Sequence, residues 1–289
     1  MVVSPAIVEW VMGLPAGWTS AGSLSSRAIA DGLAACRAVA GVSAATGSRQ
    51  KRRTLSLFSG CGALDFGLSH LCEPVAYCDT CDCAVGVLRA RQRDGSLRPG
   101  AIHADIRSMR GADLRGKVDG IVAGFPCQDI SFAGQQAGLR GQRSSLVFEA
   151  LRLADEAGCS FIFMENVANI CKLPGVWQPL LDALGSRGFA VKWCVVEAAH
   201  VGAPQCRPRW FALARRGHAS LRLSAGPLPD GRIPGFAMRS GLRFNGGRPH
   251  PSAWLLPRED WPRVAARLNM LGNAVVPPQA ALAAKLLSL

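Results

Sequence analysis

Short apolar runs bounded by turn-forming residues recur through the middle of the chain, at 54–58, 74–78, 118–123, 160–164, 190–197 and 209–214. Their length and apolar character predict buried strands. Segments at 63–71, 84–93, 144–157 and 176–187 fit helices instead. Such regular alternation predicts an α/β fold with a doubly wound, mostly parallel sheet. The pattern fails over 215–267, which is rich in Pro, Gly and Arg, carries Trp254 and Trp261, and lacks sustained periodicity. A closing Ala/Leu stretch, 277–289, predicts a helix packed back on the large domain. No internal repeat is visible.

Candidate chemistry sits where the runs end. Val118 to Val122 leads into Gly124-Phe125-Pro126-Cys127-Gln128, so a cysteine follows a rigid proline at the carboxyl end of a strand. Open α/β sheets carry their chemistry at that edge. A thiol there serves as a nucleophile when its pKa is lowered or a base assists. By itself an inert buried cysteine is the commoner outcome. Upstream, Phe58-Ser59-Gly60-Cys61-Gly62 breaks a β-type run into a glycine turn that opens a helix, which allows close backbone approach to a ligand. Downstream, Phe161 to Met164 ends in Glu165-Asn166-Val167, a carboxylate at a strand end beside the cysteine's strand. Gln205-Cys206-Arg207-Pro208-Arg209 and Gly272-Asn273-Ala274-Val275-Val276-Pro277 complete an ordered set.

Together these five motifs resemble the motif series of the cytosine-C5 DNA methyltransferases, from about Leu55 to the C-terminus. The resemblance implies a Rossmann-like S-adenosylmethionine-dependent methyltransferase fold with a small, irregular target-recognition domain. It implies a DNA (cytosine-5-)-methyltransferase in which Cys127 adds to C6 of a flipped-out cytosine, flanked by Pro126 and Gln128. Glu165, followed by Asn166, would bond the ring N3 and exocyclic amine. Arg209 would contact the base O2, and Arg207 would orient Glu165. The methyl donor, S-adenosyl-L-methionine, would lie against Phe58, Ser59, Gly60, Cys61 and Gly62, with Phe58 stacking on adenine. Asp79 would take the ribose hydroxyls, where the family usually has Glu. Asp105, followed by Ile106, would take the adenine amine. Arg143 to Leu146 matches a further motif that supports packing and the DNA backbone. Asn273, grouped with the cofactor site, would tie the C-terminal segment to the catalytic loop. Outside the motif context Asp79 and Asp105 read as ordinary turn acids, Arg207 and Arg209 as solvated cations, and Glu165 as a helix cap.

The implied partner is double-stranded DNA, bound by a monomer. The net charge of +13 agrees, and 28 of the 33 cations are arginine, suited to phosphate and guanine contacts. Codon bias explains part of that excess, since Ala, Gly and Pro are also abundant. The related alternatives are a tRNA cytosine-5 methyltransferase and a degenerate DNA-binding homologue. Phe125 before Pro126-Cys127, and the lack of a Cys-Phe-Thr triplet, favour DNA; intact Cys127, Glu165 and Arg209 favour turnover. Eleven cysteines without a disulfide-like spacing point to a reducing compartment. That means cytoplasm for a bacterial or phage protein, and nucleus or organelle for a eukaryotic one. Cys72, Cys78, Cys81 and Cys83 invite a zinc reading, but the family has no metal there and none is expected. No run of about 18 uncharged apolar residues predicts a membrane span.

The expected organisation is an N-terminal extension at 1–50, a catalytic S-adenosylmethionine-binding domain at 51–214, a short recognition region at 215–267, and a C-terminal motif and helix at 268–289. The extension is nearly acid-free and ends in Arg49, Lys51, Arg52 and Arg53. Ala6 to Thr19 resembles a segment that the family carries late in the chain. It reads as a displaced piece of the recognition domain, a targeting presequence, or a vestigial segment. In the first case residues 1–20 return to the vicinity of 215–265 and 21–50 form a flexible connector.

Overall fold

The computed structural model describes residues 2–42, 50–126, 146–217, 255–256 and 261–289. Seven strands form the central sheet: β2 (Arg52–Leu57), β3 (Cys72–Cys78), β4 (Ala101–His103), β5 (Gly120–Gly124), β6 (Phe161–Val167), β7 (Phe189–Glu197) and β8 (Pro208–Arg216). Their spatial order is β4-β3-β2-β5-β6-β8-β7. The pairs β3–β4, β2–β3, β2–β5 and β5–β6 are parallel. β8 runs antiparallel to both β6 and β7. Only ten residues join β7 to β8, too few for the crossover that a parallel pair demands. This is the α/β, doubly wound, mostly parallel fold that the alternating pattern implies. β4, three residues long with exposed ends, has no counterpart among the expected strands.

Helices cover both faces. On one side lie α5 (Leu146–Ala157) and α6 (Pro174–Gly185), packed against Leu55, Leu57, Ile121 and Ile162. α5 buries Val147, Ala150, Leu151, Ala154 and Ala157, a spacing that keeps one helical face apolar. On the other side lie α3 (Ala63–Leu68), α4 (Asp82–Arg93) and α8 (Pro277–Leu287), around Phe66, Leu88, Phe163 and Phe211. α8 starts on two prolines, which suit the first helical turn, and its alanine-rich body is almost wholly buried. It approaches α3 so closely that a Cβ on Gly67 would lie 2.4 Å from the Pro277 carbonyl oxygen.

The N-terminal residues are built into this body. β1 (Val2–Val3) pairs antiparallel with β9 (Leu255–Leu256), and α1 (Pro5–Val11) packs on α7 (Trp261–Asn273). The buried Glu9 carboxylate accepts from the Gly17 and Thr19 amides, each at 2.8 Å, and pairs with Arg267 of α7 at 3.0 Å. Residues 21–50 depart from the expected connector, because 26–40 form a helix, α2 (Ser26–Ala40), packed on α8. Alanine is the strongest helix former. The Ser25 side chain caps the start and Gly41, at φ 70°, closes the end in the left-handed region. Among the described residues no helix is long and apolar enough to cross a membrane.

Two features of the α3 side make predictions. Gly67→Ala forces α3 away from α8 and lowers stability by about 1–3 kcal/mol; a urea midpoint equal to that of the parent chain contradicts this packing. Asp65, buried in α3, accepts from Ser56 Oγ at 2.7 Å, while its second carboxyl oxygen has no partner among the described residues. Burial pushes the carboxyl up to about 7, against the pull of that hydrogen bond. The folded state therefore holds a proton that the unfolded chain loses near pH 4, so stability falls as pH rises to about 7. Asp65→Asn lacks this loss, and denaturation at pH 5 and pH 8 checks it: the variant's gain on the parent grows between the two by about 2–4 kcal/mol.

Candidate active site

β2 ends at Leu57, and the next five residues reverse the chain through three left-handed conformations: Phe58 at φ 54°, Gly60 at 53° and Gly62 at 76°. The two glycines serve different needs. A Cβ on Gly62 would strike Leu97 at 2.4 Å, so the floor of the turn presses on the core, whereas a Cβ on Gly60 would meet nothing within 4 Å. The outer side of the turn thus opens on free space. The Ser59 amide donates to the Cys78 carbonyl at 3.1 Å, and Ser59 Oγ lies 2.8 Å from Ser56 Oγ. Asp79, just past β3, accepts from the Gly60 amide at 2.7 Å and the Cys81 amide at 2.9 Å. Its own amide donates to His103 at the end of β4. Asp105 follows β4 and accepts from the Arg107 amide at 2.9 Å. The Arg107 side chain also pairs with it, holding its carboxyl below the usual range; Ile106 between them is buried. Phe58, Asp79 and Asp105 therefore stand past the carboxyl ends of three neighbouring strands.

The next two strands carry the acid. Gly124 of β5 faces Glu165 of β6 in register, and a Cβ on Gly124 would lie 3.3 Å from Glu165 Oε2. Asn166 Nδ2 donates to the Phe125 carbonyl at 3.1 Å, tying the segment that ends in Pro126 to the end of β6. Cys127 and Gln128 lie outside the described residues, as do Arg143 to Ser145 and most of 215–267. On β8, Arg209 is in register with Val167, and its Nε lies 3.2 Å from Glu165 Oε1. The arginine beside Glu165 is thus Arg209, the residue expected on the base. Arg207, expected to orient Glu165, donates from Nη2 to the carbonyls of Gly272 and Ala274, the latter at 2.7 Å. Asn273, between those two carbonyls, is the exposed last residue of α7, which sets it beside Arg207.

Glu165 is 8% exposed. Burial raises its carboxyl to about 7, in spite of Arg209 and Arg207. Near neutral pH it exchanges a proton readily, and its protonated form both donates and accepts a hydrogen bond. Burial raises thiols in the same way: Cys61, Cys72 and Cys78 are pushed up to about 12, away from the reactive thiolate. Cys81 and Cys83 are exposed. Among the described residues the cysteines are free, and no group of three or more His, Cys, Asp or Glu could hold a metal ion.

Trp18 is buried, as the apolar density of its segment implies, but its hydrogen bond and that of Gln205 carry no sequence signal. Trp18 Nε1 donates to the Cys61 carbonyl at 2.8 Å. The Gln205 amide donates to the Val11 carbonyl at 3.1 Å. Both contacts join the N-terminal segment to site residues.

Comparison with known proteins gives the family of the chain. The family model described as C-5 cytosine-specific DNA methylase matches residues 52–237. The Type II methyltransferase M.CviJI of Paramecium bursaria Chlorella virus IL3A is 29% identical over 164 residues, covering 57% of this chain and 43% of the relative. The Type II methyltransferase M.PspPI of Psychrobacter sp. (strain TA137) is 34% identical over 166 residues, covering 56% and 39%. The match thus spans less than half the length of either relative. A solved structure of Spodoptera frugiperda DNMT2, a mutant form, aligns at 21% identity and a TM-score of 0.48, covering 62% of this chain and 56% of that one. With the family model matching well over half of its residues, the chain belongs to the C-5 cytosine-specific DNA methylase family.

Proposed function

We propose that this chain methylates C5 of cytosine in double-stranded DNA, with S-adenosyl-L-methionine as donor and Cys127 as nucleophile. The observation that carries the reading is the Glu165–Arg209 pair, buried at the end of β6 and in register with the strand that runs into Pro126. A carboxyl near half-protonation beside the strand that leads to a cysteine suits acid-assisted nucleophilic addition.

The turn at 58–62 fits the donor. Gly60 faces open space, Asp79 is held at the strand end by two backbone amides, and Phe58 and Asp105 flank it on neighbouring strands. When bound there, the sulfonium supplies an electrophilic methyl group. Asp79 would accept from the ribose hydroxyls and Asp105 from the adenine amine, with Phe58 against the ring.

Cytosine presents N3 and its amine on the pairing edge, so a side chain can reach them only after the base has left the stack. Glu165 would then donate its proton to N3 and accept from the amine. That draws electrons from C6 as the Cys127 thiolate adds there, and C5 becomes the nucleophile that would take the donor's methyl group. Loss of the C5 proton to a base, expulsion of the thiolate and return of the N3 proton to Glu165 restore the ring. Arg209 would hold Glu165 in place and reach the base O2, while Arg207 secures the segment around Asn273. Arginine-rich surface and the net charge of +13 would supply the phosphate contacts. The intact acid–arginine pair favours this reading over a binding protein without turnover.

The nucleophile is tested by trapping. A duplex with 5-fluorocytosine at the target, incubated with S-adenosyl-L-methionine, should give a denaturant-resistant complex, because fluorine blocks the final elimination. Cys127→Ser should abolish it, and trapping that survives this change assigns the attack to another cysteine. The acid is tested by its pH limb. If protonated Glu165 is the active form, single-turnover methylation loses this contribution as pH rises through about 7. Glu165→Gln should lower the rate by about 10²–10⁴-fold and remove that limb, with cofactor affinity little changed. Asp79→Ala should weaken the cofactor first. Equal cofactor losses in the two variants would make Glu165 a structural residue.

A further inference from the structure

The glycine turn at 58–62 combines three left-handed residues, one of them Phe58, whose Cβ makes φ 54° unfavourable. Such backbone persists only where its surroundings over-determine it. From the sheet side the turn is held by the Cys78 carbonyl and Asp79. Its other side is held from 43 residues away, where the Trp18 indole N–H donates to the Cys61 carbonyl at 2.8 Å in a fully buried contact.

Trp18 is itself locked. The Glu9 carboxylate takes the amides of Gly17 and Thr19, the residues on either side of it, one on each oxygen. Arg267 braces both Glu9 and the Thr19 hydroxyl. The Trp18 ring packs at 4.6 Å, tilted by 53°, on Phe66 of α3. The guanidinium of buried Arg91 lies 5.5 Å from its centroid. Arg91 donates to the carbonyls of Gly17 and Gly22 and pairs with Asp94, which in turn accepts from the Leu24 amide. Residues 17–24 are therefore pinned on both sides of the tryptophan. Space filling alone does not require an indole aimed at a carbonyl. The buried Nε1 of Trp210, deep in the same protein, has no partner among the described residues.

We propose that Trp18 is a positioning residue for cofactor binding, its N–H fixing the Cys61 carbonyl and with it the turn that receives S-adenosyl-L-methionine. The inference rests on the reading of that turn given under Proposed function. It also gives residues 1–20 a role outside the three readings of the sequence, a displaced recognition piece, a presequence or a vestigial segment: the back wall of the cofactor site.

Two variants remove the donor, Trp18→Phe and Trp18→3-benzothienylalanine, the second keeping the bicyclic shape. Titration calorimetry with S-adenosyl-L-methionine should show affinity about tenfold weaker in both, as for the loss of one buried hydrogen bond. Amide exchange at 59–62 should quicken. Leu180→Ala, which opens a cavity beneath the opposite sheet face, is the control for general destabilisation; it should lower the melting temperature and leave affinity within twofold. Unchanged affinity in the benzothienyl variant overturns the proposal, as does an equal loss in Leu180→Ala. Failure of the parent chain to bind the cofactor overturns the site reading itself, and this inference with it.

Discussion

A parallel strand pair can be joined only by a chain that crosses back over the sheet, and that requirement governs where chemistry can stand in this protein. With β4, β3, β2, β5 and β6 all parallel, every carboxyl end falls on one edge. Phe58, Asp79, Asp105, Pro126 and Glu165 all lie along it, at or just past the strand ends. The reversed strand β8 contributes in the complementary sense. It begins where its antiparallel neighbour β6 ends, so Arg209, the second residue of β8, arrives beside Glu165 from within regular structure. A side chain delivered by a strand is held more firmly than one delivered by a loop.

Three buried carboxyl groups show how surroundings divide structural from chemical acids. Glu9 accepts from two backbone amides, a hydroxyl and a guanidinium, and it organises the N-terminal segment. Asp65 receives a single hydroxyl and is raised to about 7 by burial. Glu165 has an arginine neighbour and is nevertheless raised to a similar level, because desolvation outweighs the attraction. Of the three, only Glu165 stands at the strand-end edge. Position, more than acidity, separates it from Asp65.

Much of the sheet was legible because its strands are continuous apolar runs, and much of the site because it lies in short motifs at strand ends. The losses have specific causes. β4 is three residues with exposed ends, too short to leave a pattern. α2 looked like a linker because alanine, serine and glycine are common to helices and connectors, and only its caps distinguish the two. Which arginine of 205–209 would pair directly with Glu165 was hard to read because strand limits are faint in sequence. β8 starts at Pro208, so Arg207 falls outside the ladder and turns to the end of α7. The burial of Trp18 was legible from the apolar density of its segment, but its partner, 43 positions away, was not.

The seating of α8 also has a consequence for how the polypeptide reaches its native state during synthesis. Residues 277–287 pack against α2, α3 and β7, so this part of the sheet face is covered only by residues far along the sequence. Glu9 likewise waits for Arg267, 258 positions later. Contacts of such sequence separation form slowly and leave apolar surface open to aggregation meanwhile. The α3 face and the Glu9 segment therefore both wait on the same late stretch, residues 261–287, before their apolar surface is covered.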